Sequence, residues 1–253
     1  QITGNVKEGG LGFDYKWNMG WMNDFTNYMR CDPLFRKNSY GELTFSMLYA
    51  YSEDFVLVFS HDEVVHGKGS MIGKMPGATL ETKAENLRTA YAFMMGHPGK
   101  KLLFMGQDFG QFHEWDEKVA LDWYLADEPL HKDLQDYCRD LLHLYKKYPA
   151  CYSQDYDWKG FQWINANDAD RSIFSFVRYS ATGRQNLLFV CNFTPVSRPD
   201  YRVGVPKSGN YTLILDETHG SYKTGDQKIV FKAKKSECDG QPYSIAYPLP
   251  AYG

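Results

Sequence analysis

Hydrophobic positions in the first 150 residues fall into short continuous runs and longer runs with helical spacing. The runs at 55–59 and 101–105 show no polar alternation, which is typical of strands buried on both faces of a parallel sheet. The aromatic segment 13–17 is compatible with another strand. Elsewhere apolar residues recur every three or four positions, which predicts helices over 18–30, 81–96 and 130–148.

Local signals set the expected ends of these helices. Proline follows Asp32, glycine and proline occupy 96–99, and Pro149 ends the last helix. Ser39 and Glu42 have the spacing of a capping box, which predicts a further helix behind them. That helix is expected to bury Leu43, Met47, Leu48 and Tyr51. Strand, helix and strand between 55 and 105 make a β-α-β unit.

The pattern changes beyond about residue 158, where short β-rich runs replace the helical spacing. These runs lie at 161–166, 172–179, 187–193, 200–205, 211–215, 228–233 and 243–247. Turn signals separate them, and this spacing predicts an antiparallel β-sandwich. A boundary between Pro149 and Lys159 divides the chain into an α/β region, 1–152, and an all-β domain, 153–253.

Composition narrows the functional classes. The net charge is −3 and there is no long basic run, so nothing indicates nucleic acid or an anionic membrane as a partner. No apolar stretch is long enough to span a membrane. The five scattered cysteines argue against a disulfide framework or a zinc site. They favour a location of the protein in the reducing cytosol. No nucleotide-binding or metal-spaced motif is present, so neither cofactor nor metal is expected. The chain starts at Gln1, and we expect it to be part of something longer.

A polar cluster follows the buried run at 55–59. Ser60, His61, Asp62 and Glu63 come first, and a glycine-punctuated loop continues to residue 69. In a β/α barrel the catalytic residues lie where the strands end and their loops begin. The cluster is therefore placed to meet a ligand, although a buried strand followed by a solvated turn would show the same pattern.

Longer strings favour the functional interpretation. Ser-His-Asp-Glu-Val-Val-His-Gly-Lys at 60–68 closely resembles the fourth signature of the α-amylase superfamily, in the form carried by glycogen branching enzymes. Further matches are Gly-Gly-Leu-Gly-Phe at 9–13, Tyr-Lys-Trp-Asn at 15–18, Met-Pro-Gly at 75–77, Pro-Gly-Lys-Lys-Leu-Leu-Phe-Met-Gly at 98–106, Leu-Asp-Trp at 121–123 and Asn-Phe-Thr-Pro at 192–195. The resemblance covers nearly the whole chain.

The resemblance implies roles for two residues. Retaining glycoside hydrolysis or transfer uses two carboxyl groups about 5–5.5 Å apart. In this family a third carboxylate, after barrel strand seven, binds the sugar hydroxyls. The match gives that third role to Asp62, with His61 as a hydrogen-bond partner of the sugar. The nucleophilic Asp and the acid Glu have no counterpart here. The resemblance thus implies strands six to eight of a (β/α)8 barrel followed by the C-terminal β domain, inactive by itself.

Further side chains are candidates for substrate contact. Glu63 and His66 could line the acceptor side of the cleft or simply hold the loop's own hydrogen bonds. Asp108 follows Gln107 where the family usually shows Asn-Glu, and Trp115 follows Glu114 in an acid-aromatic pair suited to a sugar platform.

Three functional interpretations remain open at this point. The first is part of a branching enzyme, which cuts an α-1,4-glucan and rejoins the released chain through an α-1,6 link by double displacement. The second is part of a hydrolase of the same superfamily, and the third is a non-catalytic glucan-binding module. The expected partners are an α-glucan and either the rest of the barrel or a second copy of the chain.

Overall fold

The protein is described from a computed structural model, which covers residues 1–216 and 228–253. Its helices are α1 (Met19–Arg30), α2 (Tyr40–Phe45), α3 (Met71–Lys74), α4 (Leu80–Gly96) and α5 (Pro129–Lys147). Its strands are β1 (Lys16–Trp17), β2 (Phe55–Phe59), β3 (Lys100–Leu103), β4 (Phe161–Asn165), β5 (Ile173–Tyr179), β6 (Asn186–Asn192), β7 (Arg198–Val205), β8 (Asn210–Thr212), β9 (Val230–Lys232) and β10 (Tyr243–Leu249).

The first three strands form a parallel sheet in the order β1-β2-β3. Lys16 pairs with Phe55, and Val56 pairs with Lys100. The central strand β2 is apolar throughout and carries Leu57, which is fully buried, as its continuous hydrophobic run predicts. Helix α4 joins β2 to β3, so the predicted β-α-β unit is confirmed.

Side-chain caps and aromatic packing hold the helices in place. The Asn18 side chain accepts a hydrogen bond from the backbone N–H of Trp21 at 2.9 Å and starts α1. Phe25 of α1 stacks on Trp21 and on Phe93 of α4, with ring centroids 4.8 and 5.5 Å apart. These rings bury the faces that α1 and α4 share, which agrees with the helical spacing of the sequence.

The capping box predicted at Ser39 is wrong. Ser39 is the last residue of a 3-10 helix and makes no side-chain capping bond, and its backbone, at φ −107° and ψ 11°, lacks the extended conformation typical of an N-cap. Helix α2 ends after six residues, and Leu48, which was expected to be buried, is 81% exposed. A capping box does form, but at Ser60 and Glu63, where strand β2 ends.

The later strands form antiparallel sheets, as their spacing predicts. Strands β4, β5 and β6 pair in that order, β10 pairs with β7, and β8 pairs with β9. Each of the predicted β-rich runs overlaps one of these strands. The two larger sheets share a core formed by Ile164, Ile173, Val177, Tyr201, Val203, Val205, Ile245 and Leu249.

The other side of the β4-β5-β6 sheet packs against the helices. Phe174 and Phe193 belong to the same buried cluster as α1 and α4, and the rings of Tyr28 and Phe193 meet edge to face at 5.4 Å. Gly96 ends α4 where a Cβ would lie 2.7 Å from the ring of Phe189, so only glycine allows this approach. The hydrophobic core therefore crosses the predicted domain boundary, whose exact position stays a prediction.

Two buried arginines also join the two regions. Arg36 donates to the carbonyl of Phe193 at 2.7 Å. Arg178 of β5 donates to the carbonyl of Gly96 at 2.7 Å and to the carboxylate of Asp155 at 2.8 Å. Both side chains are fully buried, and these hydrogen bonds offset part of the loss of hydration. No helix of the described residues combines the length and apolar character that crossing a membrane requires.

The buried His97 is expected to make the stability of the fold depend on pH. Its ring nitrogens lie 2.9 Å from Ser46 Oγ and 2.9 Å from the carbonyl oxygen of Pro98. Burial lowers the pKa of His97 to about 3. Below its ordinary pKa of about 6.5, the unfolded chain binds a proton that the folded chain does not. We therefore expect the free energy of unfolding to fall by about 2 kcal/mol between about pH 7 and pH 5 through this group.

Urea unfolding at the two pH values measures this loss. His97→Gln is expected to destabilise the chain at neutral pH but to remove about 2 kcal/mol of its pH dependence. The control is His143→Gln on the exposed face of α5, which should keep the wild-type difference. A His97→Gln variant with the wild-type pH dependence would contradict the assignment.

Candidate functional site

A short turn at the end of β2 carries the candidate site. Ser60 Oγ accepts a hydrogen bond from the N–H of Asp62 at 3.1 Å, and the Glu63 carboxylate accepts one from the N–H of Ser60. This reciprocal cap closes a 3-10 helix, His61–Glu63, directly after the strand. The turn leaves the side chains of His61 and Asp62 half exposed, at 45% and 46%.

Asp62 is available to a ligand. Its Oδ1 lies 3.3 Å from Nε2 of His61, and residues 1–216 and 228–253 offer its carboxylate no other polar partner. A carboxylate can accept from two sugar hydroxyls at once, and such charge-assisted bonds are directional. The imidazole beside it supplies a second polar group facing the same space.

Aromatic rings border this pair. The His61 ring lies 5.8 Å from Phe104 and 6.5 Å from Trp115, and Phe104 and Trp115 meet edge to face at 5.1 Å. The N–H of Trp115 donates to the carbonyl of Val64 at 2.8 Å, which fastens the two loops together. The structure therefore brings His61, Asp62 and Trp115 together, although they lie on loops after different strands.

Glu63 faces the interior. It is 4% exposed, and one carboxylate oxygen is used by the cap on Ser60. The other, Oε1, is buried and finds no hydrogen-bond partner among the described residues. The geometry gives Glu63 a structural role at the turn, and its contact with substrate stays a prediction.

The exposed loop 66–69 continues from the turn. His66 has a positive φ of 58°, and Lys68 Nζ donates to the carbonyl of Asp62 at 2.6 Å. Glu114 is not a free acid at the cleft, because its carboxylate accepts hydrogen bonds from the N–H groups of Gly69 and Gly67. These two N–H groups lower the pKa of Glu114 and keep it ionised.

Asp108 lies toward the helix layer. Gln135 of α5 donates to its carboxylate at 3.1 Å. Gln107, its neighbour, reaches the site instead, since its side-chain nitrogen donates to the carbonyl of Ser60 at 3.3 Å. The contact of Asp108 with substrate stays a prediction. Gln107, and not Asp108, makes a hydrogen bond to the turn that carries Asp62.

Sequence reasoning missed a second His-Asp pair, which lies in the loop after β3. His113 Nδ1 lies 2.8 Å from the Asp122 carboxylate, and His113, Gln107 and Trp115 line one shallow cleft. No spacing rule joins two residues of an irregular loop nine positions apart. The exposed Trp123 packs one face on Phe109, with ring centroids 5.5 Å apart.

Comparison with known proteins gives a consistent picture. Residues 163–253 match the family described as "Alpha amylase, C-terminal all-beta domain". The chain is 51% identical to the 1,4-alpha-glucan branching enzyme GlgB of Butyrivibrio fibrisolvens, over all of the chain and 40% of that protein. It is 48% identical to the protein of the same name from Bordetella pertussis, over 99% of the chain and 34% of that protein. The chain thus spans well under half the length of these curated relatives.

Solved structures show the same fold at low identity. A pullulanase type I from Bacillus subtilis, complexed with maltose, superposes with a TM-score of 0.66 over 93% of the chain and 34% of the pullulanase, at 15% identity. A cyclomaltodextrinase gives 0.62 over 94% of the chain and 36% of its own, also at 15% identity. At this identity the likeness concerns the fold alone.

Proposed function

The chain belongs to the 1,4-alpha-glucan branching enzyme family, and from this premise we propose that it forms one part of an enzyme that moves α-1,4-glucan segments onto C6 hydroxyls. The reaction is a retaining double displacement, in which a C6 hydroxyl replaces water in the second step. The full-length protein supplies the nucleophile and the acid from outside these 253 residues. This chain supplies the carboxylate that binds the sugar hydroxyls.

The position of Asp62 carries this proposal. The residue follows a buried parallel strand, the position at which barrel enzymes carry their catalytic groups. Its half-exposed carboxylate lies 3.3 Å from His61, whose ring in turn lies 6.5 Å from that of Trp115. Hydrogen bonds from sugar hydroxyls to Asp62 can strengthen as the ring flattens towards an oxocarbenium-like state. Asp62 then stabilises the transition state, while His61 and Trp115 hold the sugar ring in place.

The proposal includes a barrel that other strands complete. Among the described residues, β1 and β3 each have one neighbour in the sheet, so both outer edges are free. Exposed apolar side chains occur in β1 and in the segment that precedes it: Val6, Leu11, Phe13, Tyr15 and Trp17. Free strand edges and exposed apolar residues favour association. We assign β1, β2 and β3 to strands six, seven and eight, with the remainder of the full-length protein as the partner.

One experiment tests both the reaction and the need for the partner. Amylose is incubated with the full-length protein, with the 253-residue chain, and with the chain co-expressed with the remaining part of the protein. The full-length protein is expected to form new α-1,6 links, the chain alone none, and the co-expressed parts some. Linkage analysis by NMR, with reducing ends counted in parallel, separates branching from hydrolysis.

Each outcome has a clear meaning. New reducing ends without new α-1,6 links would replace the branching assignment by a hydrolase of the same superfamily. Branching by the chain alone would show that its own residues suffice and would overturn the division of catalytic groups proposed above. Light scattering on the same samples reports whether the free edges pair with the rest of the protein or with a second copy.

A further inference from the structure

Residues 66–69, which follow the candidate site, hold an unusual backbone conformation. His66, Gly67 and Gly69 have φ values of 58°, 81° and 74°, all in the left-handed region. A Cβ added at either glycine would meet nothing within 4 Å, so the backbone conformation and not the available space favours glycine there. His66 has a Cβ and adopts this conformation at a cost, so neighbouring groups must hold the loop.

Glu114 provides that restraint. Its Oε2 accepts the N–H of Gly67 at 2.9 Å, and its Oε1 accepts the N–H of Gly69 at 2.5 Å. Two backbone N–H groups directed at one anion form a small nest. Lys74 closes the loop from the other side, since its Nζ donates to the carbonyls of Gly69 and Glu63.

The restrained loop is connected to the candidate catalytic residue. Lys68 lies between the two glycines, and its Nζ donates to the carbonyl of Asp62 at 2.6 Å. The next residue after Glu114, Trp115, donates its N–H to Val64 at 2.8 Å. Contacts on both sides therefore tie the loop that carries Glu114 to the turn that carries Asp62.

We propose that Glu114 is a positioning residue for the glucan site. Its carboxylate holds residues 66–69 in the left-handed conformation, and through Lys68 this fixes the main chain of Asp62. The inference rests on the proposed function, because it assumes that Asp62 binds the glucan and that its position affects turnover. A displacement of about 1 Å at a reacting group can reduce a rate by about 10²-fold, so an indirect contact of this kind affects turnover.

The test uses the full-length protein and a matched pair of variants. Glu114→Gln keeps the shape of the side chain but presents an NH2 group to one of the two glycine donors. Glu117→Gln removes the same charge from an exposed position three residues further along the loop. Gly69→Ala is a third variant, which disfavours the left-handed backbone without changing any charge.

Four quantities are measured: hydrogen exchange of the peptide covering 64–72, kcat for branching, KM for branching, and the melting temperature. Glu114→Gln is expected to speed exchange at 67 and 69 and to lower kcat about tenfold, with KM within about twofold of wild type and little change in melting temperature. Gly69→Ala should change exchange and kcat in the same direction. Glu117→Gln should leave all four quantities at the wild-type values.

Wild-type exchange and kcat in Glu114→Gln would overturn the inference. A lower melting temperature with unchanged kcat would also overturn it, because it would show only a structural role. If the wild-type full-length protein cleaves glucan without forming α-1,6 links, the proposed function fails separately. The hydrolytic kcat of the same variants then decides whether Glu114 positions the site.

Discussion

Asp62→Asn in the full-length protein is expected to lower kcat for branching by about 10²–10³-fold, the loss typical when one group that stabilises transition-state charge is removed. The amide keeps the size of the side chain but loses the negative charge and one acceptor. Asp62 is half exposed, and its carboxylate contacts only His61 among the described residues, so the fold does not depend on it. The melting temperature should therefore remain close to that of wild type.

Steady-state kinetics on amylose, combined with thermal unfolding, checks this expectation. Asp200→Asn is the matched control, since Asp200 is an exposed carboxylate on β7 and should leave kcat unchanged. A rise in KM with kcat intact would mean that Asp62 binds ground state and transition state equally well. In that case its assignment as the transition-state stabiliser would be wrong.

Arg178→Met is expected to lower the free energy of unfolding by about 3–5 kcal/mol, because it removes the fully buried ionic partner of the Asp155 carboxylate. Lys100 and the Tyr145 hydroxyl remain as partners of that carboxylate. Arg178 is fully buried and donates to Asp155, to the carbonyl of Gly96 and to the carbonyl of Gly160. Burial alone would raise the pKa of Asp155, but the positive charges of Lys101 and Arg178 hold it below its ordinary value. The carboxylate is thus ionised in the folded state.

Urea unfolding at neutral pH measures the loss. Arg178→Lys keeps a positive charge but cannot bridge three acceptors, so its stability should lie between those of wild type and Arg178→Met. Arg184→Met, in the exposed turn between β5 and β6, controls for the loss of an arginine as such. A change of less than about 1 kcal/mol for Arg178→Met would place the pair among ion pairs of small net effect.

The sequence predicted most elements because their side-chain periods are strong. The apolar run of β2, the helical spacing of α4 and α5 and the short runs of the later sheets all correspond to elements of the structure. The capping box failed at Ser39 and formed at Ser60, although both positions have a glutamate three residues later. At Ser60 a strand delivers an extended backbone with a free N–H, whereas Ser39 already belongs to a 3-10 helix.

The sequence likewise predicted some residues of the candidate site and not others. The string at 60–68 singles out Asp62 and His61, because a short contiguous motif carries its own local geometry. The partners of that motif come from 45 or more residues away: Glu114 bonds to Gly69, and Gln107 bonds to Ser60. No local pattern distinguishes Gln107 from Asp108 as the residue that faces the turn, since that depends on how the loop after β3 lies against β2.

By itself, the sequence determined the order and type of the elements, the family and the position of the candidate carboxylate, since these follow from periodicity and from contiguous motifs. Only the tertiary structure decided that the β4-β5-β6 sheet shares a core with α1 and α4, and that Glu114 holds the loop beside Asp62. The reason is physical. Burial and hydrogen bonding between distant segments depend on the direction in which each side chain points after packing, and this direction is a property of the whole fold.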